Sequence, residues 1–340
     1  MRKLIDNTGK VIYGSFDEPM RFNHEDFKLR NFFGKEIRGI RKRIAFNTFN
    51  FISINTDDFI VGLAAVNLGY INNLFGYVHR FESGEFFETN RILLPSKISF
   101  PGDPDNYDAT FNGRNIYFHI HKSHKEGALD LECSFEGKLS VTGRFAFSLK
   151  NKPLRVANPS CGDPYRYTFT EKCPLFAPED MSVIFKGEEL VHNIPDVTGT
   201  YDWSGGYLNR NTNWLWSAFA GTDTKGHRVG ANFAALTNES YYSENAIWIG
   251  SKRTRIPRVI YDIDIDDPTG SDWRIFSEDG KIDLTFRPLG RRGQKLNAFF
   301  VKLDFRQMFG NFSGKITGDD GKSVTLKNVR GVSEMHLSHW

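Results

Sequence analysis

Residues 199–221 read G-T-Y-D-W-S-G-G-Y-L-N-R-N-T-N-W-L-W-S-A-F-A-G, and the rest of the chain is read outward from them. Asp202, Ser204, Gly205 and Gly206 carry turn chemistry, which predicts a turn feeding one long strand from Tyr207. Successive side chains of an extended chain point to opposite faces. Arg210, Thr212, Trp214, Trp216 and Ala218 therefore share one face, and Asn209, Asn211, Asn213, Leu215 and Ser217 share the other. Apolar walls with few polar groups characterise ligand sites, so a face of two indoles, a small residue and a guanidinium predicts the inner wall of a cavity. What fills that cavity is left open.

The composition agrees with strands. Of 340 residues, 31 are Phe, 12 Tyr and 6 Trp, an aromatic load suited to pleated, half-buried surfaces. That length exceeds most single cores, so two domains are expected, 1–187 and 188–340, divided near Gly187. A net charge of +3 on 44 basic and 41 acidic residues is too balanced for a nucleic-acid partner. Cys133, Cys161 and Cys173 are odd in number, widely spread and without C-x-x-C spacing, so neither a disulfide framework nor a zinc knuckle is indicated and a reducing compartment fits best. The longest apolar run, Phe59 to Val66, falls well short of the roughly 20 residues a spanning helix needs. With no apolar h-region after the basic start, a soluble, cytoplasmic protein with no integral membrane segment is expected.

Short apolar runs broken by turn signals recur along the chain. After an irregular lead-in to residue 36, strands are expected from Ile44 to Ile54, Phe59 to Leu68, Tyr77 to Phe81, Glu85 to Leu94 and Lys138 to Ser148, among others. In the second half they include Val229 to Leu236, Ala246 to Gly250, Arg258 to Ile265, Lys281 to Arg287, Ala298 to Phe305 and Ser333 to His339. No long amphipathic helix alternates with them. The expected fold is all-β, two antiparallel lipocalin-like β-barrels in tandem.

Several residues could carry function. Arg210 on an apolar face needs a partner, and Asp202, Glu244 and Glu334 are available. Glu244 and Trp248 share a strand face that would extend the indole wall across a barrel, with Asn245 beside them. Asn232 sits among Gly230, Ala231 and Ala234, which leave room for something large. At the C-terminus Glu334, His336, Ser338 and Trp340 alternate onto one face, the one place where an acid and a histidine share a strand face near an aromatic. A polar strand face is more often simply solvated. His119 and His121 lack visible further ligands, Asp262, Asp264 and Asp266 alternate as in an amphipathic strand, and no metal or cofactor is expected. The basic run Arg38 to Arg43 reads as a solvated face.

The series G-T-Y-D-W-S-G-G, R-N-T-N-W-L-W, G-A-N at 230–232, S-E-N-A at 243–246, F-G-N-F-S-G at 309–314 and G-V-S-E-M-H-L-S-H-W at the end resembles a large, mostly microbial family known as a domain of unknown function. F-N-H-E-D-F-K at 22–28, A-A-V-N-L-G-Y at 64–70 and R-I-L-L-P at 91–95 extend the resemblance across nearly the whole chain. More distantly the chain is similar to tandem lipocalin-like proteins that include carotenoid 1,2-hydratase, tocopherol cyclase and fungal Diels-Alder cyclases. That resemblance implies paired antiparallel barrels with an apolar or polyene-like ligand in one barrel or between the two, and an acid that protonates an alkene. Asp202 and Glu244 are the candidates for that acid; Arg210, Thr212, Trp214, Trp216, Asn232, Asn245, Trp248, Glu334, His336 and Trp340 are the candidates for ligand contact. Two readings follow: a binding protein for a bulky hydrophobic molecule (lipid, terpenoid or polyketide-like), or a metal-free hydratase, cyclase or isomerase.

Overall fold

The computed structural model describes residues 1–98, 104–147, 152–160, 163–209, 211–237, 242–298 and 301–339. Its regular structure is nearly all strand, as the aromatic and β-branched runs require; among the described residues helix is confined to Gly39–Ile44 and single 3-10 turns. No helix is long and apolar enough to cross a membrane. The strands are antiparallel, apart from a two-residue parallel pairing of Arg2–Lys3 with Met20–Arg21.

The first half packs an eight-stranded sheet on a six-stranded one. The larger runs in the order Gly14–Phe16, Leu154–Ser160, Asp163–Phe176, Thr198–Tyr207, Asn47–Asn55, Phe59–Asn67, Asn72–Arg80, Phe86–Leu93. The smaller runs Glu188–Glu189, Asp180–Phe185, Leu139–Ala146, Ala128–Phe135, Ile116–Ser123, Asn106–Gly113. Between them Ile52, Leu63 and Leu74 meet Phe118, Leu131 and Val141 in one core. Asn47–Asn55 is buried along nearly its whole length, on both faces, because something covers its outer side too.

That cover is the second half, a nine-stranded sheet ordered Lys252–Arg255, Ala246–Ile249, Arg228–Ala235, Asn211–Thr222, Ser323–His339, Val301–Thr317, Ile282–Ala298, Trp273–Phe276, Ile260–Asp262. Its two edge strands are consecutive in the chain, joined only by residues 256–259. Such a link reaches no more than about 17 Å, so the sheet must curl until its edges approach. Phe219, Phe233, Ile247, Trp273 and Phe312 fill the concave side.

Three expectations are corrected. Gly199–Tyr207 is a strand and not a turn: a Cβ on Gly199 would meet the Ser53 carbonyl oxygen at 2.1 Å, and one on Gly206 the Tyr167 carbonyl oxygen at 2.2 Å. These glycines permit close strand approach instead of chain reversal. Thr198–Tyr207 pairs with both Asp163–Phe176 and Asn47–Asn55, so this strand of the eight-stranded sheet comes from beyond Gly187. The second half contains three 17-residue strands where shorter ones were expected. The strand through the aspartates ends at Asp262, beyond which Asp264 accepts the amide of Asp266 at 3.0 Å in a turn.

Alternation in Asn211–Thr222 is as read, but its faces look elsewhere. Leu215 and Phe219 serve the curled core, while Trp214, Trp216 and Ala218 pack against Phe51, Phe75 and Tyr77 of the other half. The indoles look between the halves and not into the second half's own interior, because that interior is taken by the opposite face.

Candidate functional site

A cavity of about 500 Å³ lies between the eight-stranded and nine-stranded sheets, within the size range of small-molecule sites. Strand register builds it. On one wall Lys172, Asp202, Phe51, Ala64 and Phe75 stand side by side across five strands. On the other, Trp216, Glu334, Gln307 and Arg292 stand side by side across four, with Trp214, His336 and Phe305 one pleat further along. The walls meet edge to face: Phe51 with Trp216 at 5.8 Å and Phe49 with Trp214 at 6.4 Å between ring centroids.

Glu334 is the distinctive polar group of the apolar wall. It is 8% exposed; its Oε2 accepts the Trp214 indole N–H at 2.8 Å and its Oε1 accepts the Gln307 amide at 2.5 Å. Burial pushes its carboxyl up to about 7, against the smaller opposing effect of those two neutral donors. An amide can present NH₂ or oxygen, so Gln307 can serve the carboxylate and the carboxylic acid alike. His336 stacks on Trp214 at 3.6 Å with planes 3° apart, and burial drives its imidazole down to about 3, so that ring is neutral in the folded protein.

Among the described residues two cations flank the cavity. Arg292 donates from Nε and Nη2 to Glu88 Oε1 at 2.9 and 2.6 Å, with its guanidinium 3.9 Å from the Phe75 ring centroid. Its Nη1 has no protein partner among the described residues. Lys172 is held by Asp202, with Glu244 Oε2 at 3.9 Å and the Trp216 ring centroid at 5.5 Å.

Asp202, Glu244, Thr212 and Trp214 line the cavity, as do Trp216, Glu334 and His336. Asn232 stands behind the wall, accepting the Trp216 indole N–H at 2.8 Å and donating to the Glu244 carbonyl at 2.7 Å. Asn245 accepts the Ala234 amide at 2.7 Å, also behind the wall. Trp248 is elsewhere: it packs with Leu154, Val156 and Ala246, its indole donating to the Lys152 carbonyl at 3.3 Å, so it does not face the other two indoles. Arg210 and Trp340 lie outside the described residues. Sequence reasoning missed Lys172, Arg292 and the phenylalanines of the first half. Phe49 and Phe51 fall within the strand expected from Ile44 to Ile54, but nothing local says what lies opposite them, and the strand carrying Arg292 was expected to end at Arg287.

Away from the cavity, Asp108, His119 and His121 come close enough to hold a metal ion on the exposed face of the six-stranded sheet, with Asp108 at 3.3 Å from His119 and 3.6 Å from His121.

A family model described as Domain of unknown function (DUF2804) matches residues 2–340. The chain belongs to the DUF2804 family. No curated protein matches it in sequence. Among solved structures it is similar to CghA, at 10% identity and a TM-score of 0.54 over 98% of this chain and 96% of that one. The likeness to CghA with Sch210972 gives 11% identity and a TM-score of 0.53 over 99% and 97%. Kievitone hydratase from Nectria haematococca aligns at 13% identity and a TM-score of 0.48 over 86% and 88%. At such identity the likeness to CghA establishes a shared two-part β architecture, and chemistry has to be argued from this DUF2804 chain's own site.

Proposed function

We propose that the protein binds a bulky apolar small molecule of lipid, terpenoid or polyketide type between its halves and acts on it as a hydratase, cyclase or isomerase, with Glu334 as general acid. One observation carries this reading: a buried carboxyl stands in the wall of an apolar cavity and both of its hydrogen-bond partners are neutral N–H groups. That environment keeps an acid protonated near neutrality, which is what proton donation at that pH requires. Asp202 and Glu244 are the acids suggested by sequence, but both stand beside the Lys172 ammonium, whereas the hydrogen-bond partners of Glu334 are neutral.

In this reading Glu334 gives its proton to one carbon of an alkene, and positive charge develops on the other. The faces of Trp214 and Trp216 stabilise that charge electrostatically. Capture by water, or by a second double bond, followed by proton loss to the Glu334 carboxylate, completes a hydration or a ring closure with no change in oxidation state. Arg292 Nη1 offers a donor for a carbonyl or hydroxyl oxygen at the substrate's polar end.

The test uses D₂O. A panel of polyenes, terpenoids and polyketides is screened by quenching of Trp fluorescence, and each binder is incubated with the protein in D₂O and analysed by mass spectrometry. Deuterium on carbon with wild type and none with Glu334→Gln is the expected result. Binders that never acquire deuterium from wild-type protein would leave a carrier, and the catalytic reading would fail.

A further inference from the structure

The cavity opens toward a surface of unusual composition. Register pairs Gly206 with Asn47, Thr48 with Asn67, Asn67 with Asn72, and Asn72 with Leu93, so four neighbouring connections of the eight-stranded sheet gather at one end. Leu68, Tyr70, Ile92 and Leu208 line the cavity from that end. Tyr70, Ile92 and Leu94 are exposed.

The helix Gly39–Ile44 is built into the same end. A Cβ on Gly69 would lie 2.1 Å from the Ile44 carbonyl oxygen, so the helix and the 68–71 connection touch directly. Ile40 and Ile44, one helical turn apart, are both exposed, and so are Arg41 and Arg43 between them. Just before the helix, Phe32 and Phe33 are each 90% exposed, with ring centroids 5.4 Å apart. They are not on a floppy tail. Asn31 Oδ1 accepts the amides of Phe33 and Lys35 at 3.1 and 2.9 Å, and Arg30 donates to the Gly34 carbonyl at 3.0 Å, so a fixed turn holds both rings in water. Between Lys28 and Arg43 the chain carries seven basic residues and one acid, Glu36, in a protein whose net charge is +3.

We propose that this end is a docking surface for an anionic phospholipid membrane. Phe32, Phe33, Ile40 and Ile44 enter the headgroup region, Arg41 and Arg43 pair with lipid phosphates, and the cavity mouth lies against the bilayer. Aromatic and aliphatic side chains among exposed cations are what an interfacial surface requires, since apolar insertion and attraction to anionic lipid add. RNA would use the arginines but gain nothing from Ile40, Ile44, Ile92 and Leu94, and continuity with an apolar cavity favours lipid over a protein partner. The inference goes beyond the cavity reading, and its test does not depend on what the cavity holds.

The test is flotation of the full-length protein with vesicles of phosphatidylcholine, alone or with about one-third phosphatidylglycerol. Binding to the anionic vesicles only, weakening as salt rises, is expected. Phe32→Ala/Phe33→Ala and Arg41→Glu/Arg43→Glu each lower the partition coefficient about tenfold, with thermal unfolding unchanged because these side chains are exposed. Lys315→Glu/Lys327→Glu, the same charge change at the far end of the nine-stranded sheet, leaves it unaltered. The proposal is overturned by failure to bind anionic vesicles, by equal loss with the Lys315/Lys327 pair, or by retention on single-stranded RNA that vesicles do not compete away.

Discussion

Glu171 and Glu334 are both buried glutamates on strands, and the protein treats them in opposite ways. Glu171 lies inside the first half with the Lys122 ammonium on one oxygen and Arg155 Nε at 2.5 Å on the other, and Arg155 reaches on to Asp105 at 3.5 Å. Burial alone would raise its carboxyl, but the two cations outweigh burial and hold it below the usual carboxylate range. Glu334 has comparable burial and neutral partners, and its carboxyl rises to about 7. Depth in the protein therefore does not decide the state of an acid; the charge of its neighbours does. One arrangement is a structural ion cluster and the other a poised proton donor facing a cavity.

The largest effect is expected where that comparison is broken on the structural side. Glu171→Gln leaves Lys122 and Arg155 buried without their carboxylate, which costs about 3–5 kcal/mol and can prevent folding at 37 °C. Urea unfolding at pH 7 measures it. A loss below about 1 kcal/mol would mean the cluster is not the desolvated network described here.

Glu334→Gln is expected to act with the opposite sign. Between the unfolded value of 4.5 and the folded value near 7 the native state holds a proton that the unfolded chain has released, so stability falls as pH rises through that window. Above pH 7 the cost reaches about 3 kcal/mol, and the glutamine variant, which never ionises, is more stable than wild type by about that much. Its loss of deuterium transfer at every pH, beside a wild-type rate that falls as pH rises through about 7, would join the stability effect to function.

The distinction between the two acids was not legible in the sequence, and the reason is register. The alternation Trp214, Trp216, Ala218 came from period two alone, and Glu334 and His336 were legible as one strand face. Which sheet lay opposite depended on pairings more than a hundred residues apart, such as Thr200 with Ser53 and Trp216 with Glu334. Arg292 lies in a polar stretch beyond Arg287, where the strand was expected to end; Gly290 within it permits the approach of the Phe309 ring, which a Cβ would meet at 2.3 Å. Gly205 and Gly206 misled as turn signals. Local chemistry identified the indole face, whereas the cation beside Asp202 and the neutral donors beside Glu334 are properties of the assembled sheets.

A smaller effect tests whether the neutral network also fixes the wall. Asn232→Ala removes the acceptor of the Trp216 indole N–H and a donor to the Glu244 carbonyl, both buried, at a cost of about 1–3 kcal/mol. The Trp216 ring loses its tether, so a change in Trp emission should accompany the loss. An unchanged spectrum with unchanged stability would show that packing against Phe51 alone holds the ring.

The smallest effect at neutral pH belongs to His336→Phe. The new ring keeps the stack on Trp214, and the imidazole it replaces is already neutral, so about 1 kcal/mol or less is expected at pH 7. The consequence appears in acid. His336 resists protonation down to about pH 3 while the unfolded chain takes up its proton near 6.5, so this residue makes stability fall as pH drops below 6.5. Glu334 makes stability fall as pH rises above 4.5. From 4.5 to 6.5 the two slopes, about 1.4 kcal/mol per pH unit each, oppose and cancel. Wild type should therefore be nearly flat there, relative to the double variant Glu334→Gln/His336→Phe. Removing Glu334 alone exposes the rising slope of His336, and removing His336 alone exposes the falling slope of Glu334. Urea unfolding of the four proteins across that interval reads both slopes directly. Single variants as flat as wild type would mean that neither group is desolvated as the cavity wall requires, and the contrast with Glu171 would vanish.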